Sequence, residues 1–237
     1  MTPEGSKRPL KVRLKSTGRR SQSSKLWLER QLNDPYVARA KREGFRSRAA
    51  YKLIEIDNRH GLLRRGGSVL DLGAAPGGWS QVAAARVGAQ EGKAAGNQAG
   101  RGRVVAIDLL DMAPVAGVAF ARLDFLDPAA ANAIKVMLAG PADVVLSDMA
   151  ANATGHRATD HLKIMALAEA AAEIARDTLK PGGAFLCKVL QGGTERALLA
   201  QLKKDFSDVK HVKPKASRAD SAELYLLARG FRGGRPA

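Results

Sequence analysis

Apolar residues fall into short continuous runs through most of this chain, at 68–72, 103–107, 118–123, 142–147 and 184–190. Runs of that length, rich in Val, Ile and Leu and bounded by Gly, Pro or Asp, predict strands buried on both faces. Between them lie stretches with helical patterning: 79–87, an Ala-rich segment over 160–179, and 194–206. Two further strands are expected at 209–213 and 223–228. Strands alternating with helices imply an α/β fold, a mostly parallel seven-stranded sheet with helices on both faces. No helical stretch separates the last two strands, so an antiparallel pair is expected at the sheet edge.

The chain ahead of this sheet is patterned differently. Asp34-Pro35 offers an N-cap followed by Pro at the first helical position, and Gly44 closes that helix. Ser47 is expected to cap a second helix over 48–60, ended by Gly61. Residues 25–62 thus read as a helical extension and 63–231 as the main domain. Two segments lack apolar anchors. Residues 1–24, dense in Lys, Arg, Ser and Gly, are expected to stay disordered without a partner, and 88–102 to form a flexible surface insertion.

Charge narrows the function. The 237-residue chain carries 39 Lys and Arg against 23 Asp and Glu, a net +16. Residues 1–52 alone hold 15 basic and 4 acidic side chains, so +11 of that excess sits in the first fifth. Such a concentration draws polyanions, because each phosphate contact releases condensed counterions. Nucleic acid is the expected partner. Arg39, Lys41, Arg42, Arg46, Arg48, Lys215 and Arg218 are candidate contacts, of a kind that positions a phosphate backbone rather than reading bases. No apolar run approaches the ~20 residues of a membrane-spanning helix. The start, Met1-Thr2-Pro3-Glu4-Gly5, lacks a signal-peptide pattern, so a cytoplasmic protein is expected. One cysteine and four scattered histidines predict neither a disulfide framework nor a metal site. No apolar stripe is left over, which predicts a monomer.

The candidate chemistry begins at Asp71-Leu72-Gly73-Ala74-Ala75-Pro76-Gly77-Gly78-Trp79, a glycine loop between a strand and a helix. In open α/β sheets ligands bind outside the carboxyl ends of the strands, where this loop must lie. It does not match the dinucleotide fingerprint, and Pro76 removes a backbone donor that a phosphate cradle would use. A cofactor without phosphates fits better. Asp108, at the end of the second strand, is placed to accept from ribose hydroxyls. Asp124, past the third strand, is placed to accept from an adenine amino group.

These segments resemble the FtsJ family of bacterial ribosomal RNA ribose 2′-O-methyltransferases. The likeness rests on F-R-S-R-A-A-Y-K-L at 45–53, the glycine loop at 71–81, S-D-M-A at 147–150, P-G-G-A-F-L-C-K-V-L-Q-G at 181–192, K-P-K-A-S-R at 213–218 and S-A-E-L-Y-L-L-A at 221–228. The resemblance implies a Rossmann-like fold that uses S-adenosylmethionine. It also implies a catalytic tetrad of Lys52, Asp148, Lys188 and Glu223. Cofactor contacts carry over to Gly73, Gly77, Trp79, Asp108, Asp124 and Asp148. The implied substrate is a uridine of 23S ribosomal RNA within the large ribosomal subunit. One departure stands out: the family usually continues S-D-M-A with Pro-Asn, whereas this chain has Ala151-Asn152.

The chemistry calls for such residues. A ribose hydroxyl is a poor nucleophile and must lose its proton during or after attack on the methyl. Lys188 within an apolar strand is the strongest single signal, since lysine is almost never fully buried unless paired. The sequence does not choose between Lys188 as a neutral base and as a charged group steering the oxygen. Cys187 beside it should face the opposite way and pack in the core. Relatives acting on transfer RNA or messenger caps share the loop and tetrad, so RNA class is the least determined part of this reading. A non-catalytic assembly factor would show decay of the tetrad or loop, and neither has decayed.

Overall fold

The computed structural model describes residue 13 and residues 22–90, 100–151, 155–191, 195–218 and 221–233. Three helices come first: α1 (Gln22–Leu32), α2 (Pro35–Glu43) and α3 (Ala50–His60). The sheet and its helices follow as β1 (Ser68–Leu72), α4 (Gly78–Val87), β2 (Arg103–Asp108), β3 (Val118–Arg122), α5 (Ala130–Leu138) and β4 (Ala142–Ser147). Then come α6 (Arg157–Thr178), β5 (Leu179–Leu190), α7 (Glu195–Asp205), β6 (Phe206–Val212) and β7 (Glu223–Phe231).

The seven strands run in the order β3-β2-β1-β4-β5-β7-β6. All pairs are parallel except those of β7, which is antiparallel to both β5 and β6. The antiparallel last strand is therefore as expected, but it sits inside the sheet, and β6 takes the edge. The order reverses between β1 and β4, and a crevice opens there at the carboxyl ends of the strands. Register aligns the chemistry: Leu72 pairs with Ile107 and Ser147, and Ser147 pairs with Cys187. Asp108, Asp148 and Lys188 each follow one of these paired residues at the crevice.

Side-chain alternation divides the core into two layers. Leu70, Leu72, Val105, Val145, Phe185, Cys187 and Leu226 pack under α5, α6 and α7. Val69, Val104, Val144, Leu186, Tyr225 and Leu227 pack under α3 and α4. Burial of both faces explains why the strands read as continuous apolar runs.

Several elements differ from the sequence reading. Helices α1 and α5 were not anticipated, and Gln22–Ser24 belong to α1 rather than to the basic tail, of which 1–12 and 14–21 lie outside the described residues. Ser47 does not cap α3. That position falls to Ala49, without a side-chain bond, because Ser47 instead packs against the glycine loop. Strand β6 begins at Phe206 and β7 runs to Phe231, both beyond the expected limits. Strand β5 begins at Leu179, and the Pro181-Gly182-Gly183 turn becomes a register shift against β4. Of the insertion, 91–99 lies outside the described residues. Among the described residues no helix is long and apolar enough to cross a membrane.

Candidate active site

Lys188 lies on the β5 face that carries Leu186, beneath α3, and its neighbour Cys187 lies on the other. On β7, Tyr225 stands opposite Lys188 and Glu223 opposite Leu190. A two-residue period therefore places Lys188, Tyr225 and Glu223 on one face. Helix α3 crosses that face and lowers Lys52 onto it, while Asp148 arrives from the end of β4. All four predicted tetrad residues meet here.

Their contacts are dense. Lys188 Nζ donates to Asp148 Oδ1 and to the Asp148 carbonyl oxygen, each at 2.8 Å. Lys52 Nζ donates to Glu223 Oε2 and lies equally close to Oε1, both at 2.8 Å. The crossed pairs are looser, at 3.9 Å for Lys52 with Asp148 and 3.8 Å for Lys188 with Glu223. Lys52 and Lys188 are only 6% and 8% exposed, so these charges meet in a largely dry site where electrostatic interactions are strong.

Tyr225 was not anticipated. Its hydroxyl donates to Asp148 Oδ1 at 2.7 Å and lies 3.4 Å from Glu223 Oε1, so one phenol bridges both carboxylates. Burial, and then the neighbouring Asp148 and Glu223 charges, push its pKa well above the usual tyrosine value. Asp148 behaves oppositely. Burial favours its neutral acid, but the charges of Lys188 and Lys52 and the bonds from Lys188 and Tyr225 outweigh that and hold its pKa below the ordinary range. The signal for Tyr225 was present in the sequence as its spacing of two from Glu223 on one strand.

The glycine loop is held by the F-R-S segment. Gly77 adopts a φ of 106° as the residue before α4, a conformation that only glycine takes readily. A β-carbon on Gly78 would lie 2.3 Å from Ser47 Oγ, and one on Gly73 would lie 2.2 Å from Met149 Cγ. Both glycines allow neighbouring segments to close on the loop. Gln81 accepts from the Arg46 backbone N–H at 2.8 Å and donates to the Gly44 carbonyl at 3.0 Å. The Trp79 ring points into the core, 5.7 Å from the Tyr225 ring, with its N–H donating to the Ala49 carbonyl. What Trp79 offers the crevice is its backbone N–H in the first turn of α4.

Carboxylates ring this crevice. Asp108 accepts from the Ala75 and Leu110 backbone N–H groups at 2.8 Å each, which leaves other lone pairs free. Asp124, exposed, accepts from Leu126 N–H at 2.9 Å. Asp71 takes a 2.6 Å bond from Ser80 Oγ, and its Oδ1 is buried without a hydrogen-bond partner. Burial pushes the Asp71 pKa up to about 7; the Ser80 bond opposes this, while the Asp148 and Asp108 charges reinforce it. A cavity of about 500 Å³ opens between Asp108, Leu109, Leu110, Leu126, Ala150 and the α6 residues Lys163, Ala166 and Leu167. Leu109, Leu110 and Leu126 are more than half exposed there, as walls of a site for a flat apolar group are.

The residues present fit S-adenosylmethionine. A buried, unpartnered carboxylate oxygen among further acids suits a ligand bearing ammonium and sulfonium charges, and would repel phosphates.

The basic candidates divide. Arg39, Lys41, Arg42 and Lys215 are exposed, with Arg39 also paired to Glu43 at 2.8 Å. Arg46, Arg48 and Arg218 depart from expectation. Arg46 donates to the carbonyls of Pro76, Ala113 and Pro114, tying the loop. Arg48 and Arg218 converge on Asp34, and Arg48 also donates to the Ala216 carbonyl. Part of each guanidinium is engaged inside the protein.

Residues 45–231 match the family described as FtsJ-like methyltransferase. The chain belongs to that family. S-adenosylmethionine is the family's cosubstrate. Full-length likeness agrees. The protein is 65% identical to ribosomal RNA large subunit methyltransferase E of Azorhizobium caulinodans over 226 residues, covering 95% of this chain and 91% of that one. It is 63% identical to the protein of the same name from Xanthobacter autotrophicus, covering 98% and 87%. Among solved structures, a ribosomal RNA methyltransferase from Plasmodium falciparum superposes with a TM-score of 0.65 at 29% identity, covering 80% of this chain and 100% of that one. The MycE methyltransferase of mycinamycin biosynthesis shares the fold, with a TM-score of 0.50 at 14% identity over 85% of this chain and 51% of its own. This FtsJ-like methyltransferase thus has its family's matched segments gathered around one crevice.

Proposed function

We propose that this FtsJ-like methyltransferase transfers a methyl group from S-adenosylmethionine to the ribose 2′-hydroxyl of a uridine in 23S ribosomal RNA, acting as a monomer on the large subunit. The observation that carries the reading is the buried, paired Lys52–Glu223 and Lys188–Asp148 cluster beside the acid-lined crevice. The names of the full-length relatives support the ribosomal target.

When bound, the cofactor supplies an electrophilic methyl carried on a sulfonium. Gly73, Gly77 and the Trp79 backbone would hold it against the loop, and Asp108, Asp124 and Asp148 would accept its hydrogen bonds. Asp148 uses its Oδ1 and carbonyl oxygen to fix two of the three bonding directions of Lys188 Nζ. The third direction is left for the substrate oxygen. Entering the step as the neutral amine, its resting proton released to solvent, Lys188 aligns that oxygen with its lone pair and receives its proton. The new ammonium is then matched by Asp148, just as Lys52 is matched by Glu223. The exposed Lys41, Arg42 and Lys215 contact the RNA backbone, and Lys52 draws the ribose toward the carboxylates.

The test uses radiolabelled S-adenosylmethionine and large subunits lacking 2′-O-methylation. Label should map to one ribose, and Lys188→Ala should lower the rate by about 10²–10⁴-fold, the usual range for a general base. Label on transfer RNA and none on subunits would overturn the ribosomal assignment.

A further inference from the structure

The N-terminal helices are tied to the Glu223 region by one buried side chain. Asp34, 7% exposed, caps α2 with Oδ1, which accepts from Tyr36 N–H at 3.0 Å. Its other oxygen, Oδ2, has a separate task. Arg218 Nε and Nη2 donate to it at 3.2 and 3.1 Å, and Arg48 Nε lies 3.1 Å away. Arg48 leads into α3, and Arg218 belongs to the loop between β6 and β7.

That loop is fastened on both sides of Arg218. The Ala216 carbonyl accepts from Arg48, and its N–H donates to Glu55 Oε2 at 3.0 Å. Tyr36 of α2 donates to the other oxygen of Glu55 at 3.2 Å. Ser217, 6% exposed, donates through Oγ to Glu223 Oε1 at 2.8 Å. Beyond it, the Glu223 N–H donates to Ser221 Oγ, and Ser221 N–H to the Arg218 carbonyl, at 3.2 and 3.1 Å. A carboxylate such as Glu223 rotates freely about its last torsion unless its oxygens are bound. Lys52 and Ser217 bind them at 2.8 Å and Tyr225 more loosely at 3.4 Å, and Ser217 stands where it does because its neighbours on either side are anchored.

We infer that Asp34 is a positioning residue for methyl transfer, acting through Arg218, Arg48 and Ser217 on the direction of the Glu223 carboxylate. It touches none of the reacting groups. Its negative charge holds two guanidiniums on one oxygen, so the loop carrying Ser217 stays pressed against α2 and α3. The rim of basic residues on α2 is thereby in fixed register with the catalytic carboxylate.

The inference rests on the proposed reaction, and the test separates the two. Asp34→Asn is the selective variant, because asparagine is as good an N-cap as aspartate and preserves the start of α2, while removing the charge from Oδ2. Hydrogen exchange followed by mass spectrometry reads the loop without any activity. Amides of 213–218 and 221–223 should exchange at least about tenfold faster in the variant, with 71–79 unchanged. In the methylation assay, kcat should fall about tenfold, while KM for S-adenosylmethionine stays within about twofold. Ser217→Ala should lower kcat similarly, and the double variant should be no slower than the slower single one, as expected for two residues acting through one contact. Arg218→Gln, on a partly exposed side chain, should reproduce both effects if Asp34→Asn proves poorly folded. Unchanged exchange in the loop, or multiplying rate losses in the double variant, would overturn the inference. Absence of methyl transfer by the unmodified protein would count against the proposed reaction alone, leaving the exchange result to decide this one.

Discussion

Two regions of this FtsJ-like methyltransferase carry opposite charge logic. The carboxyl ends of β1 to β4 present Asp71, Asp108, Asp124 and Asp148, four acids around one crevice in a chain of net charge +16. The helical extension and the β6–β7 loop present Lys41, Arg42 and Lys215 to solvent and keep Arg46, Arg48 and Arg218 for internal carbonyls and Asp34. In the proposed reaction the acids face a cationic cofactor and the bases a polyanionic substrate. The tetrad stands on the border, two of each. Net charge alone describes only the second region, and the difference shows that ligand class follows from local rather than total charge.

Substitutions that act on one region only can break this contrast. The largest effect is expected from Lys41→Ala, Arg42→Ala and Lys215→Ala together. RNA affinity should drop on the order of 10- to 100-fold, and the slope of log affinity against log salt should flatten by about 2–3, as loss of three phosphate contacts requires. Cofactor affinity and melting temperature should not move. Arg48→Ala should do the reverse, lowering the melting temperature because it takes one of two guanidiniums from the buried Asp34 carboxylate and the side-chain donor from the Ala216 carbonyl. Filter binding across a salt series, with thermal melts alongside, separates the two. Melting loss in the triple variant would mean that those side chains are structural too.

A smaller effect belongs to the acid crescent. The Asp71 carboxyl is raised to about 7 from an ordinary 3.8, so the folded chain keeps a proton that the unfolded chain has released. That group's contribution to stability therefore declines as pH rises from about 4 through about 7. A cationic ligand favours the ionised form, so cofactor affinity should rise about tenfold between about pH 6 and about pH 8. Calorimetric titration of Asp71→Asn should show that slope abolished. A slope that persists would remove Asp71 from the cationic site. The smallest effect is a null one. Burial pushes the Cys187 thiol up to about 12, so alkylating reagents should leave activity intact until the protein is unfolded.

Much of this was legible beforehand, unevenly. Strands β1 and β4 fall on the expected residues because burial on both faces makes their apolar runs continuous. Helix α5 is not legible in the sequence because Ala130, Ile134 and Leu138 carry its buried stripe within a segment of small and mixed residues. The meeting of Lys52, Asp148, Lys188 and Glu223 came from the resemblance; from residues alone only Lys188 stood out. The basic side chains were the weak point. Asp34 and Arg218 are 184 positions apart, and nothing in their local sequence tells a guanidinium aimed at phosphate from one bonded to a buried carboxylate.

The antiparallel insertion of β7 has a bearing on how the molecule comes into being. Lys52 and Glu223 form their ion pair across 171 positions, and Tyr225 reaches Asp148 across 77. Chains emerge from their N-terminus, so the strands that shape the cofactor crevice are complete well before β7 can thread between β5 and β6. On the proposed mechanism, an immature chain holds a place for the methyl donor but no means of using it. Catalytic competence on that mechanism arrives with the closing contact of the fold, which would make turnover a gauge of complete assembly that cofactor binding is not.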